Sequence, residues 1–306
     1  MRYQFIQKHT GQVPVSVLCR ALKVSPSGYY AFKKRKPSKR QQEREQLLVH
    51  IRQFFKKSDG SYGSIRIWED LKACDELKAA GIRAGRHRVA RLMRQAGLKA
   101  TVAPKFVVTT DSKHDLPTAE NLLNREFGAT EANVKWASDI TYIWTREGWL
   151  YLAVVLDLFS RRIVGWCMQQ SMDRSIVLNA LEMALGQRQP GVGLLHHSDR
   201  GSQYASGDFQ NRLESAGISC SMSRRGNCWD NAPVESFFGT LKQELVHRCD
   251  FVTRVAARSK IFEWLEVWYN RARRHSSLGY ISPVEFERRA SLAGSAPPVS
   301  STVLLN

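Results

Sequence analysis

Up to about residue 105, apolar side chains recur at intervals of three and four, the helical period. Val15, Leu18 and Leu22 share one face, and Ser25-Pro26 reads as an N-cap followed by proline at the first helical position. A second helix is therefore expected over 27–34. Two short helices with a tight connection predict a helix-turn-helix segment over 1–40, with an ordinary helical hairpin as the alternative. Leu47, Ile51, Phe54 and Phe55 mark a helix over 43–57, and SDGSYG at 58–63 is a turn cluster. A further helix is expected over 65–78, ended by Gly81. Val89, Leu92, Met93 and Ala96 then form the apolar stripe of one more. These elements predict a basic, helical, helix-turn-helix-like domain over 41–105.

From Lys135 the pattern changes to β-branched and aromatic blocks. KWASDITYIW, WLYLAVVLDLF and RIVGWCMQQS read as three strands joined by short turns, an antiparallel meander whose second strand is apolar enough to be buried on both faces. GVGLLHHSD and ISCSMS read as a fourth and a fifth strand. Helical spacing covers 173–187, 207–216, 232–246 and 256–274. The order β-β-β-α-β-α-β-α-α is that of a ribonuclease H-like α/β fold, a mixed five-stranded sheet flanked by helices. A polar, Pro-containing connector is expected over 106–130, the catalytic core over 131–290 and a flexible tail over 291–306.

Charge separates the same two regions. The 306-residue chain has a formal charge of +18, yet residues 1–105 hold 24 Lys and Arg against 7 Asp and Glu, and the remainder holds 22 against 21. A basic third beside a nearly neutral remainder predicts a polyanion-binding module joined to one with another task; a solvated basic surface or an acidic protein partner is the alternative. The longest apolar run, Trp149 to Leu156, is too short to span a bilayer, and the first ten residues carry no apolar signal segment. The six cysteines include no C-x-x-C pair, which argues against a zinc module or a disulfide framework and for a cytoplasmic protein with reduced thiols.

Metal-dependent phosphodiester chemistry needs carboxylates that hold two divalent ions, one acting on the attacking oxygen and one on the leaving oxygen. Mg²⁺ suits such a site because it takes oxygen ligands and keeps reactive waters. Asp139 lies in the first strand, Asp199 closes the fourth, and Glu235 lies early in the helix after the fifth. Thirty-five residues separate Asp199 from Glu235. Four Asp-to-Glu pairs share that spacing, Asp111/Glu147, Asp199/Glu235, Asp208/Glu244 and Asp230/Glu266, so spacing alone selects none. Only Asp199 follows an apolar strand, with a glycine two positions on. For any one carboxylate, a cap or a surface salt bridge is the competing role.

The longer phrases are more specific. W-x-x-D-I-T-Y-I at 136–143, HSDRGSQY at 197–204, SRRGNCWDNAPVESFFGTLK at 223–242 and YNRARRHSSLGYISPVEF at 269–286 together resemble the DDE transposases of bacterial insertion sequences. The resemblance is to the second-frame product of the IS-three family, related in its core to retroviral integrases. PVSVLCRALKVSPSGYYAF and YGSIRI fit the same family, so the resemblance spans almost the whole chain. Ser64-Ile65 departs from it, because a bulkier or more basic pair is expected after Tyr62-Gly63, and the zinc-binding module of integrases is absent from the sequence. The resemblance implies that Asp139, Asp199 and Glu235 are the catalytic, metal-binding triad, with Mg²⁺ as cofactor, two ions, and Mn²⁺ able to substitute. Lys242 matches the basic residue seven positions after the glutamate, two helical turns on and thus on the same face, where it would hold a DNA phosphate. The implied activity is strand cleavage at element ends followed by strand transfer. The implied partners are DNA ends and target, a second copy of the chain and an upstream first-frame product joined by ribosomal frameshifting; no membrane is involved.

Further DNA contacts are expected from Arg224 and Arg225 before the helix of Glu235, from Tyr29 and Lys33 in the first region, and from Arg86, Arg88, Arg91 and Arg94, each with a solvated role as the alternative. Asp157 ends a strand and could imitate a ligand, but a turn or polar structural role is expected for it. His196 and His197 are candidates to tune the site, one of them by strand packing, and Trp229 and Asn231 to shape or cap the helix. Arg271, Arg273, Arg274 and His275 form a basic cluster with DNA contact and solvation equally open, while Trp264, Trp268 and Tyr269 read as core. Two rival functions stand: a DNA-binding regulator, which leaves the carboxylates idle, and a host nuclease, which cleaves without joining.

Overall fold

Ser25 accepts a hydrogen bond from the Gly28 amide at 3.0 Å, so the predicted cap does start a helix there. That helix, α3 (Pro26–Lys34), packs with α1 (Arg2–His9) and α2 (Val15–Ala21) around Ile6, Leu18, Cys19 and Tyr29. The periodicity did not reveal α1, which buries only Ile6. Burial of Tyr29 corrects its reading as a DNA contact: the ring is 2% exposed and fills this small core. The computed structural model describes residues 1–101, 118–225 and 227–293. Most of the expected connector and nearly all of the expected tail lie outside them, although α12 (Pro283–Ala293) carries helix past residue 291, where the tail was expected to begin.

The next unit comprises α4 (Lys39–Lys57), α5 (Ser64–Ala73), α6 (Asp75–Ala79) and α7 (Arg86–Gln95) around Leu47, Ile51, Tyr62, Ile67, Leu71, Val89, Leu92 and Met93. The single helix expected over 65–78 is two. Cys74 takes an extended conformation (ψ 114°), and Asp75 and Glu76 open α6, where acidic side chains favour a helix start.

The second region forms β1 (Lys135–Thr145), β2 (Gly148–Asp157), β3 (Ile163–Gln169), α8 (Arg174–Arg188), β4 (Leu195–Ser198), α9 (Gly207–Ser215), β5 (Ser219–Met222), α10 (Ala232–Glu244) and α11 (Arg254–Glu263). The five-stranded sheet has the order β3-β2-β1-β4-β5. β1, β2 and β3 pair antiparallel, whereas β4 joins β1 and β5 joins β4 in parallel. α8 and α9 cover one face through Trp136, Val155, Ile176 and Phe209; α10 and α11 cover the other through Leu152, Val154, Val234 and Phe237. β2 is indeed buried on both. Gly165 in β3 permits close approach of α8: a Cβ there would lie 2.2 Å from the Ala180 carbonyl oxygen.

The long helix expected over 256–274 stops earlier. α11 gives way to a wider π-type turn, Trp264–Tyr269. Asn270 then pairs through both side-chain ends with the backbone of Ile163 on the sheet-edge strand β3, at 3.0 Å each. Arg273, Arg274 and His275, in the expected basic cluster, serve the joint between the two regions. Arg273 makes a buried ion pair with Glu244 at the end of α10, at 2.8 Å. Arg274 pairs with Asp70 of α5 at 2.6 Å, and its amide donates to the Tyr62 hydroxyl at 2.7 Å. His275 is buried beside Tyr269. Trp268 packs against both cores, and Gln243 donates to the Thr101 carbonyl at 2.7 Å. The helical domain is thus fastened to the far end of α10.

Candidate active site

Parallel pairing of β1 with β4 ends at Ser138 against Ser198. The next residue is Asp139 on β1 and Asp199 just past the end of β4, so the register of the two strands sets the two residues at neighbouring levels. Asn231 donates from its side chain to the Ser138 carbonyl at 3.1 Å, which ties the start of α10 to the residue before Asp139. One helical turn after Asn231 stands Glu235. Asp139, Asp199 and Glu235 are each half-buried, so solvent and ligands reach them. Burial, then the charge of Asp199 and that of Glu235, hold the Asp139 carboxyl well above the ordinary carboxylate range, and burial raises Glu235 as well. Asp139 thus feels both other carboxylates, an arrangement that positive charge relieves.

Lys242 supplies part of that charge. Two turns beyond Glu235, its Nζ lies 5.3 Å from the centre of the Tyr142 ring and close enough to Asp139 to act on its proton affinity. Burial lowers the Lys242 ammonium, and Asp139 opposes the shift. On the Asp199 side the Gly201 amide donates to Oδ1 at 2.9 Å. A Cβ on Gly201 would sit 3.0 Å from that oxygen, so glycine keeps this approach open.

Two histidines brace the strands behind the aspartates. His196 meets the Ser138 hydroxyl at 2.8 Å, and His197 meets those of Ser221 and Ser223 at 2.9 and 3.1 Å. Burial pushes them down to about 3 and about 4, so both are neutral, as structural bridges require. Asp157 ends β2 in a polar structural role, accepting from the amides of Asn133 and Phe159 at 2.8 Å each.

The other expected contacts fare differently. Lys33, Arg86, Arg91, Arg94 and Arg225 are exposed. Arg88 pairs with Glu43 at 3.5 Å, so it braces α7 against α4. Arg224 is engaged as well, because Asp230 accepts from its amide, Nε and Nη2 at 2.9, 2.9 and 2.7 Å. The Asp230 side chain is fully buried, also accepts from Arg125 and Asn121, and is held below the ordinary carboxylate range chiefly by Arg224. It fastens the 223–231 loop to the segment leading into the core. In sequence Asp230 reads only as a residue just before a helix, and the D-N-A-P phrase is the signal available for it. Trp229, 61% exposed, projects from the short turn beside it.

A family model described as an integrase core domain matches residues 129–228, a second of the same description matches 216–283, and an HTH-like domain matches 42–106. The transposase InsF of insertion sequence IS3A from Escherichia coli (strain K12) is 42% identical over 291 residues, 94% of this chain and 99% of its own length. An insertion element IS600 31 kDa protein of Shigella sonnei is 44% identical over 89% of this chain and 98% of its own. Among solved structures, the simian T-cell lymphotropic virus intasome in complex with PP2A regulatory subunit B56 gamma matches 78% of this chain and 77% of its own, at 16% identity and a TM-score of 0.46.

Proposed function

The chain belongs to the family of IS3-type insertion-sequence transposases, and on that premise we propose that Asp139, Asp199 and Glu235 are its catalytic triad and the ligands of its divalent cations. It is a DNA transposase, a polynucleotidyl transferase that cuts strands at element ends and transfers them. The observation that supports the site assignment is that Asp139 feels the charges of both Asp199 and Glu235, with Asp199 just past the strand paired to β1 and Glu235 on α10, whose start is bonded to β1.

The donor set fits Mg²⁺, with Mn²⁺ as a substitute: all donors are carboxylate oxygens, and burial, followed by repulsion from Asp199 and Glu235, raises Asp139 despite the opposing charge of Lys242. A pair of such ions supplies Lewis acidity to the attacking and leaving oxygens of a phosphodiester. The chain's own residues do the rest. Lys242 faces the same space and holds a phosphate oxygen of the scissile strand. The Gly201 amide fixes the Asp199 carboxylate, and Asn231 fixes the depth of α10 against β1. Lys33, Arg86, Arg91, Arg94 and Arg225 meet DNA phosphates, while Arg88 and Arg224 keep their carboxylate partners and order the surfaces beside them.

The domain plan of this reading is a helix-turn-helix segment over 1–40, an HTH-like DNA-binding domain over 41–105 and a ribonuclease H-like core over 131–290. The chain acts on DNA ends and target as a homo-oligomer, and an upstream first-frame product joins it as a frameshift fusion. The test uses Glu235→Gln, which keeps the shape of the ligand and removes its charge. Metal-dependent cleavage and joining of element-end DNA are expected to fall roughly a thousandfold or more, because several kcal/mol of charge stabilisation go with the ion. DNA affinity in the same variant should remain within about twofold. Full activity in Glu235→Gln would sink the site assignment, and cleavage without joining by the wild type would favour the nuclease.

A further inference from the structure

Beyond Ser138, β1 leaves β4 behind and continues paired with β2, and from Ile143 to Leu150 the two strands form a hairpin tip that β3 does not reach. The hairpin carries Tyr142 and Trp144 on one strand and Trp149 and Tyr151 on the other. Residues two apart on a strand share a face, and the register sets Tyr142 against Tyr151 and Trp144 against Trp149. Tyr142 and Trp149 meet edge to face at 5.0 Å, and Trp144 and Trp149 at 4.9 Å. Trp144 is 58% exposed and Trp149 42%, although each ring offers a large apolar area that cores normally take.

Position and charge say what this patch fits. Asp139 and Tyr142, three apart, face opposite sides of β1, but Lys242 lies against the Tyr142 ring and within electrostatic reach of Asp139, so one cation links the aromatic row to the triad across the strand's open edge. Arg254 passes behind the hairpin tip, its Nε donating to the Trp149 carbonyl at 3.0 Å. Exposed rings flanked by cations are the combination that holds unpaired nucleic acid: cations meet the phosphates, and rings stack on the bases. Inside a paired duplex both faces of every base are covered by stacked neighbours, and only the terminal pair leaves a face open. A protein partner would be met by apolar side chains without need of the cations.

We propose that Tyr142, Trp144 and Trp149 form a stacking platform for one or two unpaired nucleobases of the DNA strand leaving the active site. The proposal rests on the transposase reading and deepens it, by naming the state of the DNA that the site accepts. Base stacking on a ring is insensitive to base identity, so the platform holds an opened end without reading its sequence.

The test uses the full-length chain with Ca²⁺ in place of Mg²⁺. Two DNA probes are compared, a blunt 30-base-pair duplex and the same duplex with three unpaired nucleotides at one 3′ end, carrying 2-aminopurine in the unpaired stretch. Wild type should quench the 2-aminopurine and prefer the opened probe. The double variant W144A/W149A should lose that quenching and bind the opened probe about tenfold or more weakly, while its affinity for the blunt duplex stays within about twofold. W144F/W149F, which keeps a ring at each position, should restore most of both signals, and this rescue separates stacking from misfolding. Equal loss on both probes, no loss on either, or failure of the Phe variant to rescue overturns the proposal. So does an unchanged quench accompanied by a change of oligomeric state, which would assign the patch to a protein interface. Strand cleavage by the wild type in Mg²⁺ is measured separately. Ring-dependent binding of opened ends without cleavage would leave the platform standing and the transposase site assignment refuted.

Discussion

At the residue scale, the site depends as much on what holds α10 as on the carboxylates. Asp230 collects the Arg224 amide and guanidinium, Arg125 and Asn121 in one buried hub, five residues before Glu235. Asp230→Asn keeps the shape and removes the charge that organises the loop. Cleavage is expected to fall by up to about a hundredfold, since small misplacements of reacting groups cost that much, with metal titration still saturable. Rates and metal dependence of the variant check this; an unchanged rate would reduce the hub to a packing feature. The three carboxylates themselves were legible because each sits in a long, specific phrase. Tyr29 was misread, because whether an aromatic ring on a short helix points inward depends on α1 and α2, which its neighbours in sequence do not reveal.

At the element scale, strand periods and turns were readable because β-branched blocks and short turns recur with little interruption. Helix ends were less so. Cys74 and Asn270 stop helices by means the local pattern does not show, the second by bonding to β3 more than a hundred residues earlier. Gly165 belongs to the same class. Gly165→Ala would drive a methyl group against the Ala180 carbonyl and Ala184, forcing β3 and α8 apart at a cost of about 1–3 kcal/mol or more. A lower Tm in calorimetry is the expected outcome, and an unchanged Tm would show that α8 yields freely.

At the scale of the whole molecule, the basic helical domain and the catalytic core meet at the C-terminal end of α10. His275 lies in this joint, and burial followed by Arg273 and Arg66 hold it well below its ordinary value. The folded state therefore keeps the ring neutral, whereas the unfolded chain takes a proton below about pH 6.5. Stability is full above that pH and declines as pH falls toward the folded value, by up to about 1.4 kcal/mol per unit for this one group. Denaturant titrations at pH 7 and 5 should show the decline, and His275→Gln should reduce its slope by roughly a third, because the buried His196 and His197 contribute with the same sign. The 24 Lys and Arg of residues 1–105 make a second prediction at this scale. DNA affinity should drop roughly a thousandfold between 50 and 200 mM salt if about six phosphates are contacted. A flat salt response would remove that domain from the DNA interface.

Taken by itself, the sequence determined the order of strands and helices in the core, the charge division and the family, and it nominated the three carboxylates, because each is written in local period, in composition or in an unbroken phrase. The tertiary structure alone decided the rest. It set Asp139 and Asp199 at neighbouring levels through strand register, turned Arg273 and Arg274 from a surface cluster into a buried joint, hid Tyr29, and left Trp144 and Trp149 in the open. Each of these turns on which distant segment covers a side chain. Burial and electrostatic field are sums over neighbours in space, and no local pattern along the chain contains them.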